Sequence, residues 1–174
     1  PELASRDHQK NIVPVIDAAL KKANITLQQI NAIAVTRGPG LSGSLLVGLS
    51  FAKSLSLALN IPLVEVNHMQ GHILAHFIQE EHQEIKQPSF PFLCLTVSGG
   101  HTQIVKITNH LSFELLAETE DDAVGEAFDK AAKILGLPYP GGPLIDKYAQ
   151  LGDATKYKFP TPQLKNNNYS FSGV

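Results

Sequence analysis

The chain has 174 residues, 43% of them hydrophobic and 17% charged, with a formal net charge of −2 and a single cysteine. That composition excludes a disordered chain, and the lone Cys94 excludes an internal disulfide framework and fits a reducing compartment. The near-neutral total excludes a strongly basic nucleic-acid binder. No apolar run reads as long enough to cross a membrane and no signal peptide is recognised, so a cytoplasmic location without membrane contact is expected.

In chain order, Ile12, Val13, Val15, Ile16, Ala19 and Leu20 have the spacing of an amphipathic helix from about Arg6 to Ala23. Ala32 to Thr36 is a short β-rich run, and Gly38-Pro39-Gly40-Leu41-Ser42-Gly43 breaks it ahead of an apolar helix reaching about Leu59. Pro62 to Val66 predicts a second strand, followed by a helix from His68 to about Gln79. Strand, helix, strand, helix in that rhythm implies parallel βαβ units. The stretch from Glu80 to Ser89 turns polar and carries Pro88, which predicts a boundary between a first domain, 1–85, and a second, 86–174. Beyond it, Phe90–Val97, Thr102–Ile107 and Ser112–Ala117 read as an antiparallel meander. A helix from about Ala123 to Leu135 follows, with Glu118, Glu120, Asp121 and Asp122 ahead of it and Gly136 ending it. Pro140-Gly141-Gly142-Pro143 leads into a last helix, Leu144 to Leu151, and the tail from Lys156 predicts no structure.

Three constellations carry candidate chemistry. His68 and His72, four apart on one helix, put two imidazoles on one face where they can grip a metal ion, and His76 continues the stripe. Packing near the surface is the plain alternative, and a zinc or iron site wants a third ligand, for which no compelling candidate follows. A metalloprotease helix would read H-E-x-x-H, whereas here Met69 stands at the glutamate's position and Gln70 after it cannot act as the base. Ser98-Gly99-Gly100-His101-Thr102 is a turn between strands whose N–H groups and hydroxyls suit a phosphate, or else a plain hairpin. Gly38 to Gly43 fits G-x-G-x-x-G loosely, but a helix precedes the strand and no acid ends the next one, which favours a tight βα turn. Glu126 and Asp129 read as a solvated helix face, with Asp129 and Lys133 as an ordinary i,i+4 pair. On spacing, Asp146 after Gly141-Gly142 reads as a first-turn helix acid, with a ribose or acyl site as the alternative.

Six phrases then stand in one order: Pro1-Glu2-Leu3-Ala4-Ser5-Arg6-Asp7-His8, Thr36-Arg37-Gly38-Pro39-Gly40-Leu41, Asn67-His68-x-x-Gly71-His72, Ser98 to Thr102, Asp122-Ala123-x-Gly125-Glu126-Ala127-x-Asp129-Lys130, and Tyr139-Pro140-Gly141-Gly142-Pro143. In this order they resemble the TsaD family of tRNA N6-adenosine threonylcarbamoyltransferases. The resemblance implies an α/β protein with the actin-like ATPase (ASKHA) fold, two ribonuclease-H-like lobes around a cleft. It implies transfer of the threonylcarbamoyl group from threonylcarbamoyl-AMP to N6 of the adenosine 3′ of the anticodon in tRNAs reading ANN codons. His68 and His72 match the family's ligands for Fe2+ or Zn2+. Thr96, Val97, Ser98, Gly99 and Gly100 match its substrate loop, and Asp129, Gly142 and Asp146 match positions that hold the adenylate moiety of the donor. The implied partners are tRNA, the inactive paralogue TsaB and the small ATPase TsaE, with a homodimer possible.

Two departures from the family pattern stand out. Gln70 replaces a glutamate common between the histidines, and the family's opening strands and carboxylate metal ligand have no counterpart between Pro1 and Val174. The chain thus resembles the middle of the enzyme, incomplete at both ends, poorly active alone and prone to self-association through β edges. The rival readings are a non-catalytic actin-like scaffold paralogue, a metallopeptidase and a dinucleotide-binding domain. The intact histidines and Ser98 turn, the missing glutamate base and the meander argue against them in that order.

Overall fold

A computed structural model describes residues 2–79, 86–162, 164 and 167–173, which fall into two compact units, Pro1–Ala75 and His76–Val174. Residues 80–85 of the expected junction, and Asn166 of the tail, lie outside the described residues.

The first unit is a βαβ element with a leading helix. Helix α1 (Glu2–Ala23) begins a turn earlier than its apolar spacing predicts, and Glu2 pairs with Arg6 at 2.6 Å in that extra turn. Strands β1 (Ile33–Gly38) and β2 (Leu63–Asn67) pair in parallel, joined through α2 (Ser42–Leu59), and α2 packs on both β1 and α1. The expectation that no segment is long and apolar enough to cross a membrane fails for α2, which passes on length and composition among the described residues. It packs on β1 and α1, yet Ala52 is its one buried residue, and Lys53 and five serines interrupt its apolar run. Asn60, in the left-handed conformation at φ 52°, ends it.

After β2 comes α3 (His68–Leu74), shorter than predicted. The chain tightens into a 3-10 turn over Ala75–Phe77, so His76 leaves the stripe of His68 and His72.

The second unit is the expected meander, β3 (Phe92–Val97), β4 (Thr102–Asn109) and β5 (Ser112–Glu118), in that spatial order and antiparallel throughout. Cys94 opposes Val105 and Phe92 opposes Ile107, and Ile107 is fully buried. Cys94, Val105, Ile107, Ala117, Ala123 and Ala132 make its core. The other face of β3 carries Leu93, Leu95 and Val97, all more than half exposed. Helix α4 (Val124–Ile134) ends where Gly136 predicts: Gly136 at φ +73° donates to the Lys133 carbonyl, and Leu137 N–H donates to Ala132. Helix α5 (Gly142–Ala149) packs on α4, with Pro143 in its first turn.

The tail departs from the unstructured reading. Tyr169 bridges Thr119 in parallel, donating to Glu118 O at 3.0 Å and accepting from Glu120 N at 2.9 Å. The Asn168 side chain adds a bond from Glu118 N and one to Glu120.

Candidate functional site

In the first unit, Asn67 sets the start of α3. Its Oδ1 accepts from Met69 N at 2.9 Å and Gln70 N at 3.2 Å, the side-chain cap that Asn supplies in place of missing helical acceptors. With α3 fixed there, His68 and His72 face each other, Nε2 to Nε2 at 3.1 Å with ring centroids 4.4 Å apart. Both rings are exposed. Two nitrogens at that separation suit one tetrahedral ion with Zn–N bonds of about 2.0–2.1 Å. Among the described residues no group of three or more His, Cys, Asp and Glu gathers around an ion, so the pair supplies two ligands.

Gln70 lies two residues from each histidine, on the other side of α3. It lines a separate cavity of about 340 Å³ with Arg37, Gly38, Glu65, Val66 and Asn67, at the carboxyl ends of β1 and β2. One Arg37 nitrogen, Nη1, donates to both Glu65 oxygens, at 3.2 and 3.0 Å. The sequence reading missed this pair. Its signal was the parallel register: Val35 opposes Glu65 and Gly38 opposes Asn67, with Arg37 at the irregularity between them.

In the second unit, Thr96 is half-buried on β3 and Val97, Ser98, Gly99 and Gly100 are exposed. Ser98 organises the turn. Its Oγ accepts from Gly100 N at 3.2 Å and His101 N at 2.9 Å, and its backbone N–H donates to His101 O at 2.9 Å. The turn rests directly on the start of α4: Gly125 N donates to Ser98 O at 3.3 Å, and a Cβ at Gly125 would stand 2.8 Å from that oxygen and 3.0 Å from Gly99 N. Buried Thr102 completes the joint, its Oγ1 accepting from Val124 N at 2.9 Å where Ala123 offers no cap of its own.

Asp129 corrects its expected pairing. It does not bond Lys133; its Oδ1 accepts from Gly141 N at 2.7 Å, tying α4 to the turn that carries Gly142. Asp129, Glu126, Lys130, Lys133, Tyr139 and Gly141 line a cavity of about 340 Å³. Asp146 stands exposed along α5 and accepts from Gln150 at 3.4 Å, outside that cavity lining. Lys130 bonds Asp122 at 2.5 Å and Glu126 at 3.0 Å; these contacts, Asp122 first, hold its ammonium above the usual lysine range. The same Lys130 bond, helped by Ser172, holds Asp122 below the usual carboxylate range.

The acids ahead of α4 serve the tail more than the helix. Asp121 accepts from Ser170 Oγ, Phe171 N at 2.9 Å and Ser172 N at 3.3 Å. These bonds, the serine hydroxyl first, lower its pKa to about 2.

The family described as "TsaD: tRNA N6-adenosine threonylcarbamoyltransferase" matches residues 1–174. Relatives named tRNA N6-adenosine threonylcarbamoyltransferase include one from Christiangramia forsetii, 69% identical over 173 residues, which are 99% of this chain and 50% of that protein. Another, from Cytophaga hutchinsonii, is 59% identical across the whole chain and 49% of its own length. The chain thus spans about half the length of the curated relatives it matches. Among solved structures, YeaZ from Pseudomonas aeruginosa superposes with a TM-score of 0.43 at 20% identity over 67% of this chain and 52% of that one, too loose a likeness to argue from. A match over every residue, with relatives this similar, leaves one conclusion: the chain belongs to the TsaD family.

Proposed function

We propose that this chain transfers the threonylcarbamoyl group from threonylcarbamoyl-AMP to N6 of the adenosine 3′ of the anticodon in tRNAs reading ANN codons. The observation that carries the reading is its identity of 69% to a relative of that name, together with a convergent histidine pair. The finer expectations belong to the same proposal: an actin-like fold of two ribonuclease-H-like lobes, a cytoplasmic setting, and work alongside tRNA, TsaB and TsaE.

His68 and His72 would hold a divalent iron or zinc ion, and the 3.1 Å separation of their Nε2 atoms fits two cis ligands of one ion. When bound, such an ion supplies Lewis acidity toward a carbonyl oxygen. In the Ser98–Gly100 turn the N–H groups of Ser98 and Gly100 are already given to His101 O and Ser98 Oγ, which leaves the Gly99 N–H as the backbone donor for the phosphate of the donor. Asp129 fixes the Gly141–Gly142 turn at the edge of a cavity for the nucleoside, with Asp146 one turn further along α5. A metallopeptidase gains no support, because Gln70 cannot take a proton.

The test incubates the chain in stoichiometric amounts with tRNA, threonylcarbamoyl-AMP and Zn2+ or Fe2+, and measures modified adenosine by mass spectrometry of the digested RNA. Modification that disappears with His68→Ala and His72→Ala is the expected result. Absence of the modified nucleoside from the unaltered chain even with TsaB and TsaE added overturns the transferase reading. Calorimetry checks the ion separately: one-to-one binding is expected, lost in His68→Ala.

A further inference from the structure

After α5 the chain runs from 151 to 160 without helix or strand, and every residue in that stretch is exposed. A turn fixed by Asp153 opens it: the carboxylate accepts from Thr155 N at 2.9 Å and from Thr155 Oγ1 at 2.6 Å. Beyond the turn stand Lys156, Tyr157, Lys158 and Phe159, cation and ring in alternation. Tyr157 is 70% exposed and Phe159 72%. One exposed ring is ordinary on a protein surface, but two within four residues, each beside a lysine, are not explained by packing. Pro160 and Pro162 bias the residues before them toward extended backbone, which keeps the run from winding into a helix.

The charge is equally one-sided. The whole chain carries a formal −2, yet Ala154 to Pro162 holds two lysines and no acid. Asp153, the acid just before them, is turned onto Thr155, and neither lysine is ion-paired among the described residues. Lys156 Nζ lies 5.7 Å from the centroid of the Tyr157 ring, a contact that leaves its hydrogens without an oxygen acceptor. Lys147 and Tyr148, in the last turn of α5, repeat the pairing of cation and ring, and both are exposed. Cations without counter-charges call for an anion, and bare rings call for flat partners. Single-stranded RNA supplies both, as phosphates at regular intervals and bases with free faces. A duplex hides those faces in its stack, and a membrane surface is met by an amphipathic helix, which this run does not form. Resting on the transferase reading for RNA as the substrate, we propose that Lys156, Tyr157, Lys158 and Phe159 form a gripping site for single-stranded RNA. The rings stack on bases and the lysines meet phosphates of the loop that carries the acceptor adenosine.

The test titrates the full chain into a labelled single-stranded RNA and into a duplex of equal length, followed by fluorescence anisotropy at several salt concentrations. Tighter binding of the single strand is expected. Tyr157→Ala and Phe159→Ala should each weaken it about tenfold, the loss of one stacked base, whereas Tyr157→Phe should bind like the parent. The double variant Lys156→Gln with Lys158→Gln should flatten the slope of log affinity against log salt by about 1.4, two phosphates at about 0.7 each. All four positions are exposed, so these variants leave the buried core untouched. Equal or tighter binding of the duplex, no binding of either RNA, or an effect of the rings without the lysines or the lysines without the rings overturns the site. Modification of tRNA is read alongside. Transfer that persists while the variants leave RNA binding unchanged sinks the site and spares the proposed function. Binding that responds to the variants in a chain that transfers nothing does the reverse.

Discussion

The two units hold their candidate chemistry in opposite ways. In the second, the Ser98 turn, Asp129 and the Gly141–Gly142 turn are bonded into a unit with a buried core, and Asp129, Glu126 and Lys130 of the cavity lining already have partners within the fold. In the first, the histidine pair and the Arg37 cavity stand in solvent on a two-stranded sheet, held by one side-chain cap and one exposed ion pair. An exposed ion pair contributes only about 0–1 kcal/mol, and a cap about 1 kcal/mol. The contrast teaches that one unit spends its polar groups on fixing its own turns, while the other keeps side-chain groups unsatisfied and ready for a ligand.

The strongest challenge to the rigid half is Gly125→Ala. The added methyl would meet the Ser98–Gly99 peptide, backbone that cannot swing aside, so a loss of about 2 kcal/mol is expected in chemical denaturation. Hydrogen exchange should show the 98–101 turn loosened while the amides of α2 keep their protection. An unchanged denaturation midpoint would mean that the turn and α4 are not in fact pressed together.

The soft half is challenged by Asn67→Ala, with an expected cost of about 1 kcal/mol from the lost cap. Because α3 aligns His68 with His72, calorimetry with Zn2+ should show weaker binding in this variant even though both ligands remain. Undiminished affinity would show that the ion itself orders the helix.

The smallest effect concerns the tail. Asp121 has a folded pKa near 2 against an ordinary 3.8, so its bonds to the tail favour the docked state above the ordinary value and lose that advantage as pH falls through the folded one. Tyr169 fluorescence is expected to report release of the tail between about pH 4 and pH 2, and Asp121→Asn should remove that transition.

Much of this was legible beforehand because it depends on local signals. The 3.6-residue spacing, the strand runs and Gly136 gave α1, α2, the meander and the end of α4 to within a few residues. What escaped depends on which distant groups meet. Asp129 and Lys133 sit at the right separation for an ion pair, yet the N–H of Gly141 competes for the carboxylate and wins it. Glu118 to Asp122 look like acids awaiting a helix dipole, whereas Asp121 is taken up by the backbone of Phe171 and Ser172, some fifty residues on. His76 continues the histidine stripe only for as long as the helix keeps its pitch, and the 3-10 turn at Ala75 ends that. The histidine pair converged as its spacing implied, since four residues along one short helix involve no distant partner.

The clasp between residues 119–122 and 168–173 has an evolutionary consequence. It fastens the second unit across an interval whose exposed stretch, 151–160, carries no helix or strand. Closing a flexible loop becomes costlier only slowly, by about 0.6 kcal/mol for each doubling of its length. Insertions there can therefore accumulate among relatives while both ends of the clasp stay in register, which makes this stretch a natural place for lineage-specific additions.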